Sequence, residues 1–362
     1  ACPWLSKSSN LLLEYLFLIS SSILACNRPD LAPSLMVAYL SISLSISVGL
    51  RRSYTSYITC LNADRKPWIA TYKGAIMILT CICILAVDFP LFPRRFAKTQ
   101  SFGISLMDSG VGCFVFAAGL TSRGARQKSA PRSLKSVIIL LTFGLLRVLF
   151  IKSTGYQEDF TEYGVHWNFF FTLAAIFLLD QLVPVPVKWS ALTGSAIIIA
   201  YQFWLSSGSN TEYMLNATRN SFLDANREGI FGAVGSRSES EWNQFAIKGF
   251  SLIGILWALA NASTSYVQPV SRRMVNLSYV LWSVSFNYTV AFSALAIDTS
   301  CPPVPDSLLD AITRNYFVTF LVANVCTGLV NFTISTLLTE SITTYAILFL
   351  YMGVVCKIAK LI

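Results

Sequence analysis

The stretch Asp88-Phe89-Pro90-Leu91-Phe92-Pro93-Arg94-Arg95-Phe96-Ala97-Lys98 follows an apolar run, Ala75 to Val87, that is long enough with Ile69 to Tyr72 to cross a bilayer. The two prolines prevent the helix from continuing, because each lacks a backbone donor and clashes with the preceding turn. An acid, a rigid corner with aromatic rings and a cationic cluster therefore meet at one membrane boundary.

Two interpretations of this boundary compete. Phenylalanine rings at headgroup depth, with basic side chains on lipid phosphates, are typical of a membrane-edge anchor. Asp88, however, gains nothing from an anionic surface, and an anchor does not need the geometry that prolines impose. We therefore interpret the stretch as a site that handles a phosphorylated amphiphile.

The composition indicates an all-α polytopic membrane protein. Of the 362 residues, 54% are hydrophobic and 12% charged, against roughly 25% charged in soluble proteins. The net charge of +9 favours contact with anionic lipid over nucleic acid, because no aromatic-basic nucleic-acid module is present. A single histidine excludes a histidine-rich metal centre, and the scattered cysteines suggest no metal site or disulfide framework, so we expect no metal or resident cofactor.

The apolar runs predict eleven spans within one membrane domain, residues 1–362. They are Leu11–Cys26, Leu31–Leu50, Ile69–Val87, Gly103–Thr121, Leu134–Ile151, Gly164–Leu179, Val187–Leu205, Phe245–Ser263, Met274–Ile297, Tyr316–Ser335 and Ser341–Cys356. Another run begins at Ile230 but meets the polar residues from Ser236 to Glu241 after only six positions. We interpret this either as a re-entrant piece or, preferably, as a junction between two segments with a gap.

A second polar stretch runs from Gly155 to Thr172 and contains the single histidine. Thr161 is a plausible N-cap for the helix that follows. Glu162 and His166 are four positions apart, so on a continuous helix they would share a face and could hydrogen-bond. Such a pair orients an imidazole for general-base work, although a histidine satisfied by a carboxylate inside a bundle is the commoner arrangement. Asp108, in a run of small residues, is either a helix-pairing group or a site member.

Two further stretches carry clustered polar residues at the ends of spans. Asn226, Arg227 and Glu228 can cap a helix and pair with one another, or hold a phosphate or sugar hydroxyls at its N-terminus. Arg272 and Arg273 form a double arginine at a membrane edge, for which electrostatic anchoring is the favoured interpretation.

These four stretches, in this order, resemble the eukaryotic inositol acyltransferases of GPI-anchor synthesis, the family of fungal GPI-anchored wall transfer protein and animal PIG-W. The resemblance runs from about Pro67 to the C-terminal span, and its first two motifs are long. The matching pieces are Ile84 to Lys98, Thr161 to Phe171, Ala225 to Gly229, Ser271 to Arg273 and Ala323 to Asn331.

The resemblance implies a multi-pass enzyme of the endoplasmic reticulum. It implies transfer of a fatty acyl group, typically palmitoyl, from acyl-CoA as co-substrate to the inositol 2-hydroxyl of glucosaminyl-phosphatidylinositol. We expect roughly eleven to thirteen spans, with a first span before Leu11 missing and the one after Gly229 truncated. Expected partners are these two substrates and membrane lipids, without nucleic acid or an obligate protein partner. A multi-span lipid or amphiphile transporter without chemistry is the alternative.

The resemblance also suggests catalytic residues. Asp88 and Lys98 bracket the first motif, and we expect Asp88 to take the hydroxyl proton while Lys98 lies near the thioester oxygen or holds Asp88. His166, oriented by Glu162, is the rival base. The candidates for binding CoA or lipid phosphate are Arg94, Arg95, Arg147 and Arg227. Further candidates for substrate binding are Glu162, Trp167, Asn168, Asn226 and Glu228.

Overall fold

The structure is a computed structural model that describes residues 7–28, 30, 67–121, 134–154, 161–245, 249–300 and 307–362. These residues form α-helices and short 3₁₀ turns, with no strand among them, which confirms the all-α prediction. The predicted span Leu31–Leu50 lies outside the described residues.

The helices are numbered here in chain order over the described part of the chain. They are α1 Lys7–Asn27, α2 Pro67–Ala86, α3 Ser109–Leu120, α4 Leu134–Thr154, α5 Phe169–Leu182, α6 Val187–Ser206, α7 Asn210–Asn216, α8 Phe222–Ala225, α9 Arg227–Gln244, α10 Ile253–Tyr266, α11 Leu277–Ser300, α12 Leu308–Arg314, α13 Tyr316–Thr333 and α14 Ser341–Leu361. Short 3₁₀ turns occupy Arg94–Phe96, Phe250–Leu252 and Thr336–Leu338.

Several of these helices can cross a membrane. Within the described ranges, four are long and apolar enough to do so, over Trp68–Ala86, Leu134–Ser153, Tyr316–Thr333 and Ser341–Leu361. Shorter apolar helices occupy Glu14–Asn27, Ser109–Leu120 and Phe169–Leu182. The chain is therefore a multi-pass membrane protein.

The chain divides into two compact units. The first unit comprises Ala1–Ala97 and Val290–Ile362, and the second comprises Lys98–Thr289. In the first unit, α2 packs against α1, α12, α13 and α14. Tyr351 on α14 donates a 2.8 Å hydrogen bond to the carbonyl of Cys81 on α2, and Met77 and Ile82 of α2 are fully buried. Burial of these apolar side chains on α2 holds the start of the Asp88 motif in place.

In the second unit, α9 packs against α3, α5 and α6, and α4 packs against α5. The apolar run that begins at Ile230 does not end as a helix where it meets the polar residues at Ser236, since α9 continues to Gln244. Some of its buried polar residues have partners: Ser238 donates a 2.6 Å hydrogen bond to the carbonyl of Gly194, and Arg237 pairs with Asp180 and Glu241. Paired in this way, polar side chains can continue a helix inside a bundle.

Three further predicted boundaries are wrong. The span predicted to begin at Gly103 becomes helical at Ser109, and the one predicted from Gly164 begins at Phe169. The predicted span Phe245–Ser263 is interrupted, because a 3₁₀ turn precedes α10 at Ile253. In the first two cases side-chain and backbone contacts made by the loop replace the helical hydrogen bonds, and these loops carry the candidate site.

Candidate active site

The Asp88 motif forms a tight corner at the end of α2. The backbone N–H groups of Asp88 and Phe89 donate to Leu85 and Ala86 at 3.2 and 3.1 Å, which closes the last turn. Phe89 and Phe92 are buried and fix the corner. The guanidinium of Arg94 donates to the carbonyls of Val87 and Phe89 at 2.8 and 3.3 Å, so it caps the orphan acceptors at the helix end.

The corner leaves Asp88 half-buried with one polar partner. Nδ2 of Asn331 on α13 donates a 2.9 Å hydrogen bond to Oδ2 of Asp88. Burial raises the pKa of the Asp88 carboxyl, and the opposing effects of the Asn331 hydrogen bond and of Arg94 are smaller. A carboxyl group with a raised pKa in this setting has the character of a general base. Arg95 is exposed beside the ring of Phe96.

Lys98 begins a chain of alternating charges in the second unit. Its Nζ lies 2.6 Å from Oε2 of Glu162. Oε1 of Glu162 accepts a 3.2 Å bond from Arg272, whose Nε donates to Oδ1 of Asp108 at 2.9 Å. Asp108 also accepts from Thr99, from the backbone N–H at 3.2 Å and from Oγ1 at 2.9 Å. Asp108 therefore pairs within the same group of charges as Lys98 and Glu162, and its membership of the site stays a prediction.

The charges around Glu162 hold it in the ionised form. Burial alone would raise its pKa, but Lys98, Arg272 and Arg147 together lower the pKa of this carboxyl. Arg147 projects from α4 and acts on Glu162 through its charge. Among the sequence candidates, Lys98, Glu162 and Arg147 are therefore grouped, and Arg272 joins them although the sequence favoured a surface anchor for it.

The predicted pairing of Glu162 with His166 is wrong. Residues 161–168 form a turn and an extended segment, and α5 begins at Phe169 with Asn168 as its N-cap instead of Thr161. Without a continuous helix, the four-residue spacing does not put the two side chains on one face. The ring of His166 stacks against Phe222, and its buried Nδ1 has no hydrogen-bond partner among the described residues.

Asn168 and Trp167 are held by contacts within the protein. Oδ1 of Asn168 accepts from the backbone N–H groups of Phe170 and Phe171, and its Nδ2 donates to the carbonyl of Gly144 on α4 at 3.0 Å. Nε1 of Trp167 donates to Oγ1 of Thr172 at 2.9 Å. These bonds fix the start of α5 and its contact with α4. They also occupy polar groups of Trp167 and Asn168, which were predicted from the sequence to bind substrate.

Asn226 ties the extended segment to the start of α9. Its Oδ1 accepts a 2.7 Å bond from the backbone N–H of His166, and its Nδ2 donates to the carbonyl of Phe222. Two backbone bonds extend this contact, from Val165 to Ala225 and from Gly229 to the carbonyl of Tyr163, each 2.9 Å. His166, predicted as a catalytic residue, and Asn226, predicted to bind substrate, are thus brought together, but by a structural hydrogen bond.

A second group of charges surrounds Glu228. Arg219 makes a bidentate pair with it at 2.7 and 3.1 Å, and Arg273 adds a third bond at 2.9 Å. Nε of Arg227 lies 3.8 Å from Oε1 of Glu228, and its guanidinium donates to the carbonyls of residues 214, 218 and 224. Arg219 and Arg273 were not recognised as site residues from the sequence. The adjacent arginines Arg272 and Arg273 were the feature of the sequence that could have indicated this, because neighbouring side chains point in different directions and can pair with different carboxylates.

A small cavity lies between the two groups of charges. Among its lining residues are Glu162 and Arg272 of the first group, Glu228 and Arg273 of the second, and Tyr163 and Tyr279. Nε of Arg273 is buried and has no hydrogen-bond partner in the described part of the chain. No group of three or more potential metal-ligating side chains occurs in the described ranges.

Comparison with known proteins decides the family. The sequence profile of the GWT1 family matches residues 3–238 and 235–362, which together are nearly the whole chain. The chain belongs to the GWT1 family. Both Asp88 and Lys98 lie within the first matched segment.

Relatives of this GWT1 family member come from plants, amoebae and fungi. An uncharacterised protein of Arabidopsis thaliana is 36% identical over 335 residues, covering 85% of this chain and 76% of the relative. A phosphatidylinositol-glycan biosynthesis class W protein of Dictyostelium discoideum is 31% identical over 401 residues, covering 90% and 81%. GPI-anchored wall transfer protein 1 of Kluyveromyces lactis is 35% identical over 370 residues, covering 94% and 82%.

The two segments matched by the GWT1 profile meet at residues 235–238, within α9. The alignment with the Dictyostelium protein extends over 401 positions, more than the 362 residues of this chain, so that relative carries residues inside the aligned region that this chain lacks. The junction with a gap that the short run from Ile230 suggested stays a prediction, because the alignment does not give the position of the additional residues. In the structure, α9 is continuous through residues 235–238.

Proposed function

We propose that this GWT1 family member acts in GPI-anchor biosynthesis as a membrane O-acyltransferase. The donor is a long-chain acyl-CoA such as palmitoyl-CoA, and the acceptor is the inositol 2-hydroxyl of glucosaminyl-phosphatidylinositol. The observation that carries this proposal is the family match over nearly the whole chain, which includes Asp88 and Lys98. The endoplasmic reticulum membrane is the proposed location, because GPI-anchor precursors are membrane lipids that require a multi-pass or membrane-bound enzyme.

In this mechanism Asp88 acts as the general base. Its carboxylate accepts the proton of the inositol hydroxyl as the oxygen attacks the thioester carbonyl. The new C–O bond forms, the C–S bond breaks, and CoA leaves as a thiolate that takes up a proton. The raised pKa of Asp88 supports this role, since a stronger base accepts the proton more readily. Direct attack needs no acyl-enzyme intermediate.

Lys98 is proposed to provide positive charge for the oxyanion that develops on the thioester oxygen. In support, the side chain of Lys98 is 42% exposed. Arg95 is proposed for lipid or CoA phosphate, as it is exposed. Arg94 and Arg227 are assigned a structural part instead, because their guanidinium groups already bond to backbone carbonyls.

The test is acyl transfer in proteoliposomes from labelled palmitoyl-CoA to a glucosaminyl-phosphatidylinositol analogue. Asp88→Asn and Lys98→Ala are expected to abolish turnover while the protein still binds palmitoyl-CoA. Asp30→Asn, which alters an exposed carboxylate of the first unit, is the matched control and retains activity. If His166→Ala alone is inactive, the base is the imidazole. Movement of the lipid across the bilayer without acylation would establish the transporter alternative and overturn the proposal.

A further inference from the structure

We propose that Glu162 is a positioning residue that holds the Lys98 ammonium in the orientation that acyl transfer requires, with Arg272 and Asp108 fixing Glu162 in turn. This inference rests on the proposed function, because it gives Glu162 a part in the same reaction. It replaces the partnership with His166 that the spacing of the two residues suggested.

The contacts around Lys98 form a closed ring. From its ammonium the ring passes to Glu162 at 2.6 Å, to Arg272 at 3.2 Å and to Asp108 at 2.9 Å. Asp108 then accepts from the backbone N–H and the hydroxyl of Thr99, the residue that follows Lys98 in the chain. The ring therefore fixes the lysine at both ends, at its backbone through Asp108 and at its ammonium through Glu162.

Such a device is needed because a lysine side chain is flexible. Its four-carbon stem carries a point charge without directional preference, and ordering it costs rotamer entropy. Lys98 lies in a segment without regular secondary structure, so no neighbouring helix turn restricts it. A carboxylate that is itself immobile supplies the missing restraint, and Glu162 is immobile because Arg272 holds its other oxygen.

The burial of the side chains increases along the ring from Lys98 to Arg272 and Asp108, and it indicates the role of each residue. The side chain of Lys98 is 42% exposed, that of Glu162 is 18% exposed, and Arg272 and Asp108 are buried. The buried members anchor the ring, while the lysine stays accessible to a substrate. A partly exposed ion pair contributes little to stability, so stability alone does not account for the Lys98–Glu162 contact. Glu162 and Arg272 also line the small cavity.

The first readout does not depend on activity. The full chain in detergent is treated with an amine-reactive reagent, and labelling of Lys98 is followed by mass spectrometry, with the exposed Lys188 as internal reference. Glu162→Gln is expected to increase the Lys98 labelling rate about two- to fivefold, while Lys188 is unchanged. The control is Glu212→Gln, which alters an exposed glutamate of the same unit that pairs with Asn216. It should change neither rate.

The second readout is kinetic. Glu162→Gln is expected to lower kcat and kcat/KM together, by about tenfold or more, with little change in the KM for palmitoyl-CoA, because the lysine is misplaced for the transition state but not for binding. Glu162→Asp keeps the charge and should recover part of kcat. It also replaces Glu162→Gln if the latter does not fold.

The outcomes separate the two proposals. If wild type transfers acyl groups and Glu162→Gln does so equally well, or if Lys98 labelling does not change, the positioning role is overturned while the proposed function stands. If wild type transfers nothing, the proposed function fails and this inference fails with it. Faster labelling with reduced kcat in Glu162→Gln, and partial recovery in Glu162→Asp, supports the inference.

Discussion

Asn331 donates a 2.9 Å hydrogen bond from Nδ2 to Oδ2 of Asp88, across 243 positions of the sequence. The bond stabilises the carboxylate form and so lowers the pKa of Asp88 against the larger, opposite effect of burial. A residue in the last turn of α13 thus adjusts the group that the sequence singles out as the base.

Asn331→Ala is expected to move the acidic limb of the pH–rate profile to higher pH. The base acts when deprotonated, so activity rises as pH passes the Asp88 pKa, and loss of a bond that lowers this pKa shifts the rise upward. The measurement is kcat/KM for acyl transfer between about pH 4 and 8. Asn324→Ala, on the same helix and exposed, is the control, and an unshifted limb in Asn331→Ala would contradict the expectation.

Arg272→Gln is expected to lower the thermal midpoint of unfolding in detergent. The change leaves the buried Asp108 carboxylate without its cation, and breaking a buried ion pair on one side costs about 3–5 kcal/mol. Arg28→Gln, which breaks the exposed pair with Asp30, should leave the midpoint nearly unchanged. Equal midpoints for the two variants would show that Arg272 is not an anchor.

Asn168→Ala is expected to destabilise the second unit. It removes the N-cap of α5, which costs about 1 kcal/mol, and it also leaves the Gly144 carbonyl without its donor. Asn168→Asp should retain the cap but place an acceptor against that carbonyl, so its midpoint lies between those of wild type and Asn168→Ala. Thermal unfolding checks the order, with the exposed Asn220→Ala as reference.

Gly164→Ala is expected to disrupt the contact between the extended segment and α9. Gly164 has φ +114°, a conformation that costs other residues about 1–3 kcal/mol, and a Cβ there would lie 2.5 Å from Cα of Asn226. Gly208→Ala is the matched control, since it also has positive φ but has no atom within 4 Å of the added Cβ. Similar losses of stability in both variants would mean that the backbone clash is relieved at no cost.

Prediction from the sequence succeeded where the residues of a short segment determine its structure by themselves. The prolines after Asp88 end α2, and the apolar content of α2, α4, α13 and α14 indicates membrane helices without reference to neighbours. Prediction from the sequence failed where residues distant in the chain determine the local structure. The Glu162–His166 spacing was interpreted on a helix that does not form, because Asn168 caps α5 and residues 163–166 bond to residues 225–229. Local periodicity cannot reveal such distant partners.

By itself, the sequence determined the class of the protein, the position of the Asp88 corner and, through its motifs, the family. Those properties depend on hydrophobic content, on the chemistry of proline and on residues adjacent in the chain. Only the tertiary structure decided which charges meet. Lys98, Glu162 and Arg272 are separated by 64 and 110 positions, and their pairing depends on helix packing that brings buried charges to the partners they need.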